Sequence, residues 1–388
     1  MEPDRPRKPR QGHRKSRNGC AVCKKRHIKC DERRPKCGNC EISERQCFYV
    51  SPKKAKVGAS PYEQELTTSA WLQTASTSLD EVAVASPDLH SLEPDDLFTF
   101  EHLNLLYHVQ ENITEWMMVT EQLKPLANVY LTAALKTPYL MNQLLALSAM
   151  NLRTIDKAKS DSYTQAAAHL RHRALRGFNR AIDDTSQANA TSQFFFASLL
   201  ALHYLAETVT VNPDQDFSTT LRCTLEYFRL HRGARVMSDR AYPTFVDSPI
   251  SQWLLSVVRE GREEQSTPSE ECSLLFAMLN TSDLNEESRK ACEEAAQAFD
   301  FVVRKVQGPN GWGVHGLLAW SNLIPLRFLT LLEKQIPEAL VILAHYAVLM
   351  HRFRAFWCLG DVGERLVDGI TSVLATYWGT WLPSLEVE

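Results

Sequence analysis

The chain has 388 residues, which is long enough for two ordinary domains, and 44% of them are apolar, which is enough to form a hydrophobic core. Charged residues make up 23% and aromatic residues 9%, so the composition excludes a wholly disordered chain. No apolar run reaches the roughly 18 residues that a membrane helix needs, so the sequence predicts no membrane span. Residues 1–17 are basic and proline-rich rather than apolar, so they predict no secretory signal.

The net charge of −3 hides a strong asymmetry along the chain. Residues 1–58 contain 18 Lys and Arg against 6 Asp and Glu, a balance of +12. Residues 59–388 carry a balance of −15. A basic arm joined to an acidic body indicates that the arm binds a polyanion.

Composition divides the chain into three predicted regions. Residues 14–50 are basic and rich in cysteine. Residues 51–95 begin with a Lys-Lys-Ala-Lys cluster and continue through a Ser-, Thr- and Ala-rich stretch with scattered prolines, which predicts a flexible linker. This linker contains no sustained heptad pattern, so it does not indicate a coiled-coil dimerisation arm. Residues 96–388 form the third region.

Apolar residues recur at helical spacing through most of residues 96–388. One series consists of Met141, Leu144, Leu145, Ser148 and Leu152. Alternation with a period of two is nearly absent. The third region is therefore predicted to be an all-α domain of roughly ten helices.

Two further stretches of this region have distinct helical patterns. Residues 160–181 combine an apolar face with a predicted basic face of Arg171, Arg173, Arg176 and Arg180. Pro337 is suited to the first position of a helix, and the run that follows it to Met350 is apolar nearly all round. This second stretch is predicted to be a buried central helix.

Six of the ten cysteines follow the spacing C-x2-C-x6-C-x6-C-x2-C-x6-C. They are Cys20, Cys23, Cys30, Cys37, Cys40 and Cys47. The first three, moved by 17 positions, coincide with the last three, so the module is two copies of one half. Without a secretion signal the predicted compartment is reducing, and a dense cysteine cluster then indicates metal ligands before disulfides.

Each half offers three thiolates, whereas structural zinc takes four ligands. If each half shares one thiolate with the other, six cysteines supply the eight metal–sulfur bonds of two Zn²⁺ ions. Symmetry requires the shared pair to be equivalent, and Cys20 with Cys37 fits best. The module is too short for a hydrophobic core, so zinc binding, worth about 10–16 kcal/mol at a structural site, must supply its folding energy.

The cysteine spacing, the basic run between Cys23 and Cys30 and the Arg34–Cys37 loop resemble the fungal Zn2Cys6 binuclear-cluster DNA-binding domain. The resemblance implies a small irregular Zn2Cys6 binuclear zinc cluster with two short helices, followed by a mainly all-α helical C-terminal domain. In that family the first and fourth cysteines bridge two zinc ions, which corresponds to Cys20 and Cys37. A disulfide framework and a zinc module without a nucleic-acid role are the alternatives.

The two halves differ in charge, which favours a DNA-binding role over a purely structural one. Residues 24–29 read KKRHIK, whereas the equivalent residues 41–46 read EISERQ. A short helix near Lys24 would enter the major groove and place cations against phosphates or guanine edges. The predicted DNA-contacting residues are Lys24, Lys25, Arg26, His27 and Lys29. In relatives this helix reads a CGG-like triplet with a basic side chain; His27 occupies a position often held by that lysine, which leaves the half-site open.

Basic residues before the module have two interpretations. They are Arg5, Arg7, Lys8, Arg10, Arg14, Lys15 and Arg17. They are candidates for a nuclear import signal or for phosphate contacts, and a solubilising tail is the alternative.

Short segments of the helical region resemble the C-terminal domain of sterol uptake control proteins and their filamentous-fungal relatives. They include His231-Arg232-Gly233, the run Ala339–Tyr346 and the Trp378–Pro383 tail. The resemblance implies that this domain binds a sterol or another apolar ligand and retains the protein in the cytosol until release to the nucleus. Many relatives instead regulate one biosynthetic gene cluster, and the sequence does not decide between the two.

No catalytic set stands out in residues 97–388. Residues 311–316 match G-x-G-x-x-G, but they follow a predicted helix rather than a strand, so an interhelical turn is expected. His345 is predicted to be a hydrogen-bonded core residue. The resulting hypothesis is a nuclear, zinc-dependent, sequence-specific transcription factor of RNA polymerase II that regulates sterol genes or a secondary-metabolite cluster. An enzyme and a zinc-dependent interaction adaptor are the alternatives, and a homodimer is left open.

Overall fold

The computed structural model describes residues 18–49, 97–116, 124–184, 186–211, 216–245, 268–307 and 313–385. The chain divides into two compact units. The cysteine-rich unit comprises Met1–Glu41 and Cys47–Leu97, and the helical unit comprises Ile42–Gln46 and Phe98–Glu388. The predicted linker and the seven basic residues before the module lie outside the described residues, so the proposed boundaries at residues 14–50, 51–95 and 96–388 stay predictions.

Two five-residue helices occur in the cysteine module, as the resemblance implied. Helix α1 spans Ala21–Lys25 and helix α2 spans Gly38–Ile42, and the two are separated by the same 17 positions as the cysteines. The buried interior of the module consists of Val22 and five of the six cysteines, with Cys47 packed against them. So small an apolar interior cannot stabilise a fold, which agrees with the expectation that metal binding supplies the folding energy.

Helices make up nearly all of the described part of the helical unit, and no strand occurs there. These described residues contain twelve α-helices, where roughly ten were predicted for the whole region. They are α3 Phe100–Trp116, α4 Lys124–Lys136, α5 Pro138–Ile155, α6 Ser160–Ala181, α7 Gln187–Val211, α8 Phe217–Phe245, α9 Glu270–Thr281, α10 Glu286–Gln307, α11 Val314–Leu323, α12 Leu326–Glu333, α13 Pro337–Arg352 and α14 Val362–Trp378. The all-α prediction is confirmed.

The helices pack mainly as sequential pairs, α5 with α6, α7 with α8 and α13 with α14. The α5–α6 pair is very close at Gly177, where an added Cβ would lie 2.8 Å from the Cβ of Tyr139. Any larger residue at position 177 would therefore separate the two helices. The centre of the unit is aromatic, with the rings of Trp320 and Tyr346 stacked at 4.1 Å between centroids and Phe228 edge-on to both.

Three sequence patterns correspond to observed helices. The Met141–Leu152 series lies on α5, and the predicted helix over residues 160–181 is α6. Pro337 begins α13, in which every residue from Ala339 to Ala344 is fully buried, as expected of a central helix.

The predicted basic face of α6 is wrong in one member. Arg173 is buried, and its guanidinium carbon lies 5.6 Å from the ring centroid of Phe98. Arg176 and Arg180 are exposed, while Arg171 forms an ion pair with Glu207. Charge alone could not separate Arg173 from its neighbours, because its long aliphatic stem lets it pack against an aromatic ring.

Candidate zinc and DNA-binding site

The repeat in the cysteine sequence is reproduced in the local structure of both halves. Cys20 caps α1, and its sulfur accepts a hydrogen bond of 3.3 Å from the backbone N–H of Cys23. Cys37 stands in the same relation to Cys40 at the start of α2, at 3.4 Å. The backbone N–H of the first cysteine of each half also donates to the sulfur of the third, Cys30 or Cys47. Each half therefore holds its three thiols in the same local arrangement as the other half.

The six sulfurs form two groups of four. One group contains Cys20, Cys23, Cys30 and Cys37, the other contains Cys20, Cys37, Cys40 and Cys47, and within each group all sulfurs lie within 4.8 Å of one another. The shared pair is 3.8 Å apart, and the Cys20–Cys40 and Cys23–Cys37 sulfur distances are both 3.6 Å. Four sulfurs placed tetrahedrally at about 2.3 Å from zinc lie about 3.8 Å apart, so both groups have dimensions that suit a zinc ion.

The two shared cysteines differ electrostatically from the others. Burial acts to raise the pKa of Cys20 and Cys37, but hydrogen bonds from backbone and neighbouring thiol groups outweigh it and the pKa of each is lowered. The pKa values of Cys23 and Cys40 are raised by burial and by their shared neighbours. Cys20 and Cys37 are thus the most readily deprotonated of these four thiols, and the thiolate is the form that binds zinc.

A left-handed residue ends the helical turn in each half. His27 has a φ of 54°, and the N–H of Ile28 donates to the carbonyl of Cys23 at 3.0 Å, which is the hydrogen bond of a Schellman motif. Glu44, 17 positions later, has a φ of 57°. The backbone repeat therefore extends through the segments whose side chains differ most.

The loop between the halves is held by contacts that the sequence did not reveal. The carboxylate of Asp31 accepts from the N–H of Gly38 at 3.0 Å, and a Cβ at position 38 would lie 2.8 Å from that carboxylate. Tyr49 donates its hydroxyl to the carbonyl of Arg33 at 2.6 Å, and the Arg34 guanidinium lies 4.3 Å from its ring centroid. The Arg34–Pro35 peptide bond is cis. Only the glycine directly after Cys37 was a usable signal.

The predicted DNA-contacting side chains lie together on α1 and the turn after it. All five are exposed: Lys24, Lys25, Arg26, His27 and Lys29. Ile28, between them, is 40% exposed. The structure thus presents a contiguous basic segment directly after the second cysteine, where a groove-binding helix was predicted.

Two features of the helical unit bear on the catalytic alternative. The G-x-G-x-x-G match at residues 311–316 follows helix α10 rather than a strand, and its last three residues begin α11; residues 308–312 are outside the described part of the chain. His345 is half-buried, and its Nε2 lies 3.0 Å from the carbonyl oxygen of Trp381. It is hydrogen-bonded as expected, although less buried than a core residue.

Comparison with known proteins agrees with this geometry. Residues 18–56 match the fungal Zn(2)-Cys(6) binuclear cluster domain, and residues 104–258 match the fungal specific transcription factor domain. The chain carries both domains of the fungal Zn2Cys6 transcription factors. A Zn(2)-C6 fungal-type transcription factor of Gibberella zeae is 24% identical over 94% of this chain and 83% of its own length.

Other relatives of this Zn2Cys6 factor match over short stretches. Sterol uptake control protein 2 of Candida albicans is 58% identical over 41 residues, and the lysine biosynthesis regulatory protein LYS14 of Saccharomyces cerevisiae is 55% identical over 42 residues. These matches cover 11% of this chain and only 6% and 5% of the two relatives.

These two domains establish the general activity of the chain. It is a zinc-binding, DNA-binding regulator of transcription, and it is not an enzyme. Homologous factors act in the nucleus. In the part of the chain that the structure describes, no helix combines the length and apolar character needed to cross a membrane.

Proposed function

We propose that this factor binds two Zn²⁺ ions bridged by Cys20 and Cys37 and uses the basic segment 24–29 to bind a CGG-like DNA half-site. The observation that carries the proposal is the pair of four-sulfur groups with two members in common. Six thiolates with two Zn²⁺ leave a charge of −2, which the surrounding cations offset. No disulfide joins any of the ten cysteines, all of which lie in the described residues.

Zinc content gives the first test. Native mass spectrometry of the full chain should find two zinc ions per chain. One zinc ion, or none with the cysteines oxidised to disulfides, would overturn the bridged arrangement.

The DNA contacts follow from exposure and charge. Lys24, Arg26 and Lys29 supply cations on one short segment, suited to phosphates or to guanine O6 and N7. His27 in its neutral form offers one donor where lysine would offer three. We therefore assign most of the affinity to the lysines and arginine and expect His27 to alter the preference within the triplet.

A DNA titration with the full chain tests sequence specificity. Fluorescence anisotropy would compare a duplex containing CGG triplets with one in which the triplets are scrambled, at about 50 mM and about 200 mM salt. Tighter binding to the CGG duplex, weakening steeply with salt, would support the proposal. Equal affinity for the two duplexes, or no binding at all, would favour a zinc-dependent adaptor. The mass of the protein–DNA complex, measured separately on the same samples, decides between one chain and a homodimer per site.

For the target genes we propose sterol uptake or biosynthesis, since segments of the helical region resemble sterol uptake control proteins. The basic residues between Arg5 and Arg17 would act as the nuclear import signal. Genome-wide mapping of bound promoters is the test. Occupancy at sterol genes supports the proposal, whereas occupancy confined to one biosynthetic locus would favour the cluster-regulator alternative.

A groove of about 720 Å³ in the helical unit is a candidate location for a ligand that would retain the factor in the cytosol. Val129, Ala133, Pro138 and Tyr139 give the groove an apolar side, while Asn128, Thr132, Asp184, Asn189 and Ser192 give it a polar side. Such a lining suits a mainly apolar molecule with one hydroxyl, as in a sterol. Saturable sterol binding by the full chain, abolished by Ala133→Trp, would support the groove; no saturable binding would remove the sterol proposal.

A further inference from the structure

Five residues between two of the zinc-module cysteines fold as part of the helical unit. The segment Ile42–Gln46 lies between Cys40 and Cys47 in sequence but clusters with Phe98–Glu388. Its backbone pairs with the turn before α10, because the N–H of Asn285 donates to the carbonyl of Glu44 at 2.8 Å and the N–H of Gln46 donates to the carbonyl of Asp283 at 3.1 Å. Arg45 and Leu284 form an isolated antiparallel bridge. We name Ile42–Gln46 the docking segment.

Glu44 is almost completely buried, with its side chain 5% exposed. Its carboxylate accepts from Lys334 Nζ and Arg327 Nη2, both at 2.6 Å, and from Asn285 Nδ2 and Ser288 Oγ at 2.9 and 3.1 Å. Burial alone would raise the pKa of Glu44, but these hydrogen bonds and the charge of Arg327 lower it to about 2. A loop residue with no partner would avoid such burial, because removing a carboxylate from water is costly unless it is fully paired.

Arg45 is also buried, and its charge is opposite to that of Glu44. Its guanidinium bonds both carboxylate oxygens of Glu338 in the first turn of α13, and Nη1 also lies 2.8 Å from Asp283 Oδ1. Ser282 donates its hydroxyl to the same Glu338 carboxylate at 2.7 Å. The side chains of Arg45 and Glu338 are 7% and 2% exposed. A bidentate, buried pair of this kind fixes both position and orientation.

The two contacts have complementary charge and different partners. Glu44 binds cations at the two ends of α12, and Arg45 binds anions at the start of α13 and in the turn before α10. A segment displaced by a few residues would bring each charge against the wrong partners. The helical unit therefore contains a receptor built for this sequence, with backbone pairing, an anion site and a cation site side by side.

We infer that the docking segment couples zinc loading to the stability of the helical unit. The inference rests on the zinc-binding role proposed for Cys40 and Cys47. Cys40 and Cys47 lie on either side of the segment, so zinc binding restricts both of its ends. This restriction favours the conformation that binds the helical unit. Linkage makes the effect reciprocal, so docking also raises the affinity of the module for zinc.

Variants of the full chain test the contact itself. Arg45→Met leaves Glu338 buried without its bidentate partner, and Glu44→Gln removes one buried charge while keeping the side-chain shape. The matched controls are Arg33→Met and Glu41→Gln, which alter an exposed ion pair of the same module. Unfolding is followed by tryptophan fluorescence, which reports mainly the helical unit because seven of the eight tryptophans lie in residues 98–388 and only Trp71 lies in the other unit.

We expect Arg45→Met to lower the melting temperature of the helical unit by roughly 10 °C and Glu44→Gln by less, with both controls unchanged. Hydrogen exchange at the amides of Asn285 and Gln46 should accelerate in both docking variants. If Arg45→Met does not fold, the shape-preserving Glu44→Gln still decides through amide exchange. Unaltered exchange at Asn285 in Glu44→Gln would overturn the contact.

Zinc removal tests the coupling and separates its failure from that of the proposed function. Zinc per chain is measured first, so a chain that holds no zinc contradicts the proposed function rather than the docking segment. In the zinc-loaded wild type, a chelator should lower the melting temperature and expose the Asn285 amide. In Arg45→Met the same treatment should produce no further change. The coupling would be refuted if zinc removal changed neither the melting temperature of the wild-type helical unit nor the exchange of the Asn285 amide.

Discussion

The two halves of the cysteine module share a backbone and differ in what their side chains face. Helices α1 and α2 have the same length and the same cysteine cap, and His27 and Glu44 both adopt a left-handed conformation. His27 is exposed, however, whereas Glu44 is 4% exposed. The equivalent pair Ile28 and Arg45 shows the same contrast, at 40% and 6%.

This difference separates the requirements of the metal scaffold from those of recognition. Six thiols and a repeated turn suffice to hold the metal, and they are the features that the halves have in common. The intervening side chains are unconstrained by zinc, so one half can carry the charges proposed to bind DNA while the other carries the charges that bind the helical unit. The charged residues of segment 41–46 therefore have a role of their own: Glu44 and Arg45 bind the helical unit.

The largest expected effect concerns the features that the halves share. Cys20→Ser or Cys37→Ser should release both zinc ions and unfold the module, because each of these thiolates would serve two metals. Cys47→Ser removes a ligand of one metal only and should retain about half of the zinc. Zinc per chain, measured by mass spectrometry for each variant, checks this difference. The effect should be large because a structural zinc site contributes about 10–16 kcal/mol.

Equal zinc loss in the three cysteine variants would contradict the bridging role. Cys358→Ser is the control, because this cysteine is buried in the helical unit away from the two sulfur groups. Its zinc content should equal that of the wild type.

The next effect concerns the segment that differs. Arg26→Ala should weaken specific DNA binding by roughly 1–3 kcal/mol, about 5- to 150-fold, with zinc content unchanged, because a cation that contacts phosphate or guanine is lost. Ser43→Ala, the change at the equivalent position of the second half, should leave DNA affinity unaltered. Anisotropy titrations of both variants on one duplex make the measurement.

The salt dependence of the Arg26→Ala complex adds detail. If Arg26 contacts a phosphate, the slope of log affinity against log salt should fall by about one. Loss of zinc from Arg26→Ala would instead assign Arg26 a structural role. It would contradict the view that the side chains between the cysteines are not needed for zinc binding.

Much of this architecture could be predicted from the sequence. The 17-residue cysteine repeat is visible in the spacing, and the patterns over Met141–Leu152 and residues 160–181 correspond to observed helices. These features depend on local patterns, which a single sequence displays. The acidic replacement of the second half was also visible, although it was interpreted only as evidence that the first half binds DNA.

The docking segment could not be predicted, because its partners are far away in sequence. Arg45 and Glu338 are separated by 293 positions, and Glu338 begins a run that is otherwise apolar. In the sequence Glu338 is an ordinary acidic residue in the first turn of a helix, a position that the helix dipole favours by itself. Nothing local distinguishes a carboxylate at a helix start in solvent from one that binds a buried guanidinium.

The smallest expected effect concerns the left-handed turn that the halves share. His27→Gly should stabilise the module by up to about 1 kcal/mol, because glycine adopts a positive φ without the steric cost that a side chain pays. Glu44→Gly gains the same backbone relief but loses a carboxylate that accepts hydrogen bonds from Lys334, Arg327, Asn285 and Ser288. Its net effect should be destabilising, by about 1–3 kcal/mol in the helical unit. Chelator competition for the module and fluorescence-detected unfolding for the helical unit measure the two effects separately. Two glycine variants with the same outcome would mean that the backbone, and not the side chain, determines how each half is used.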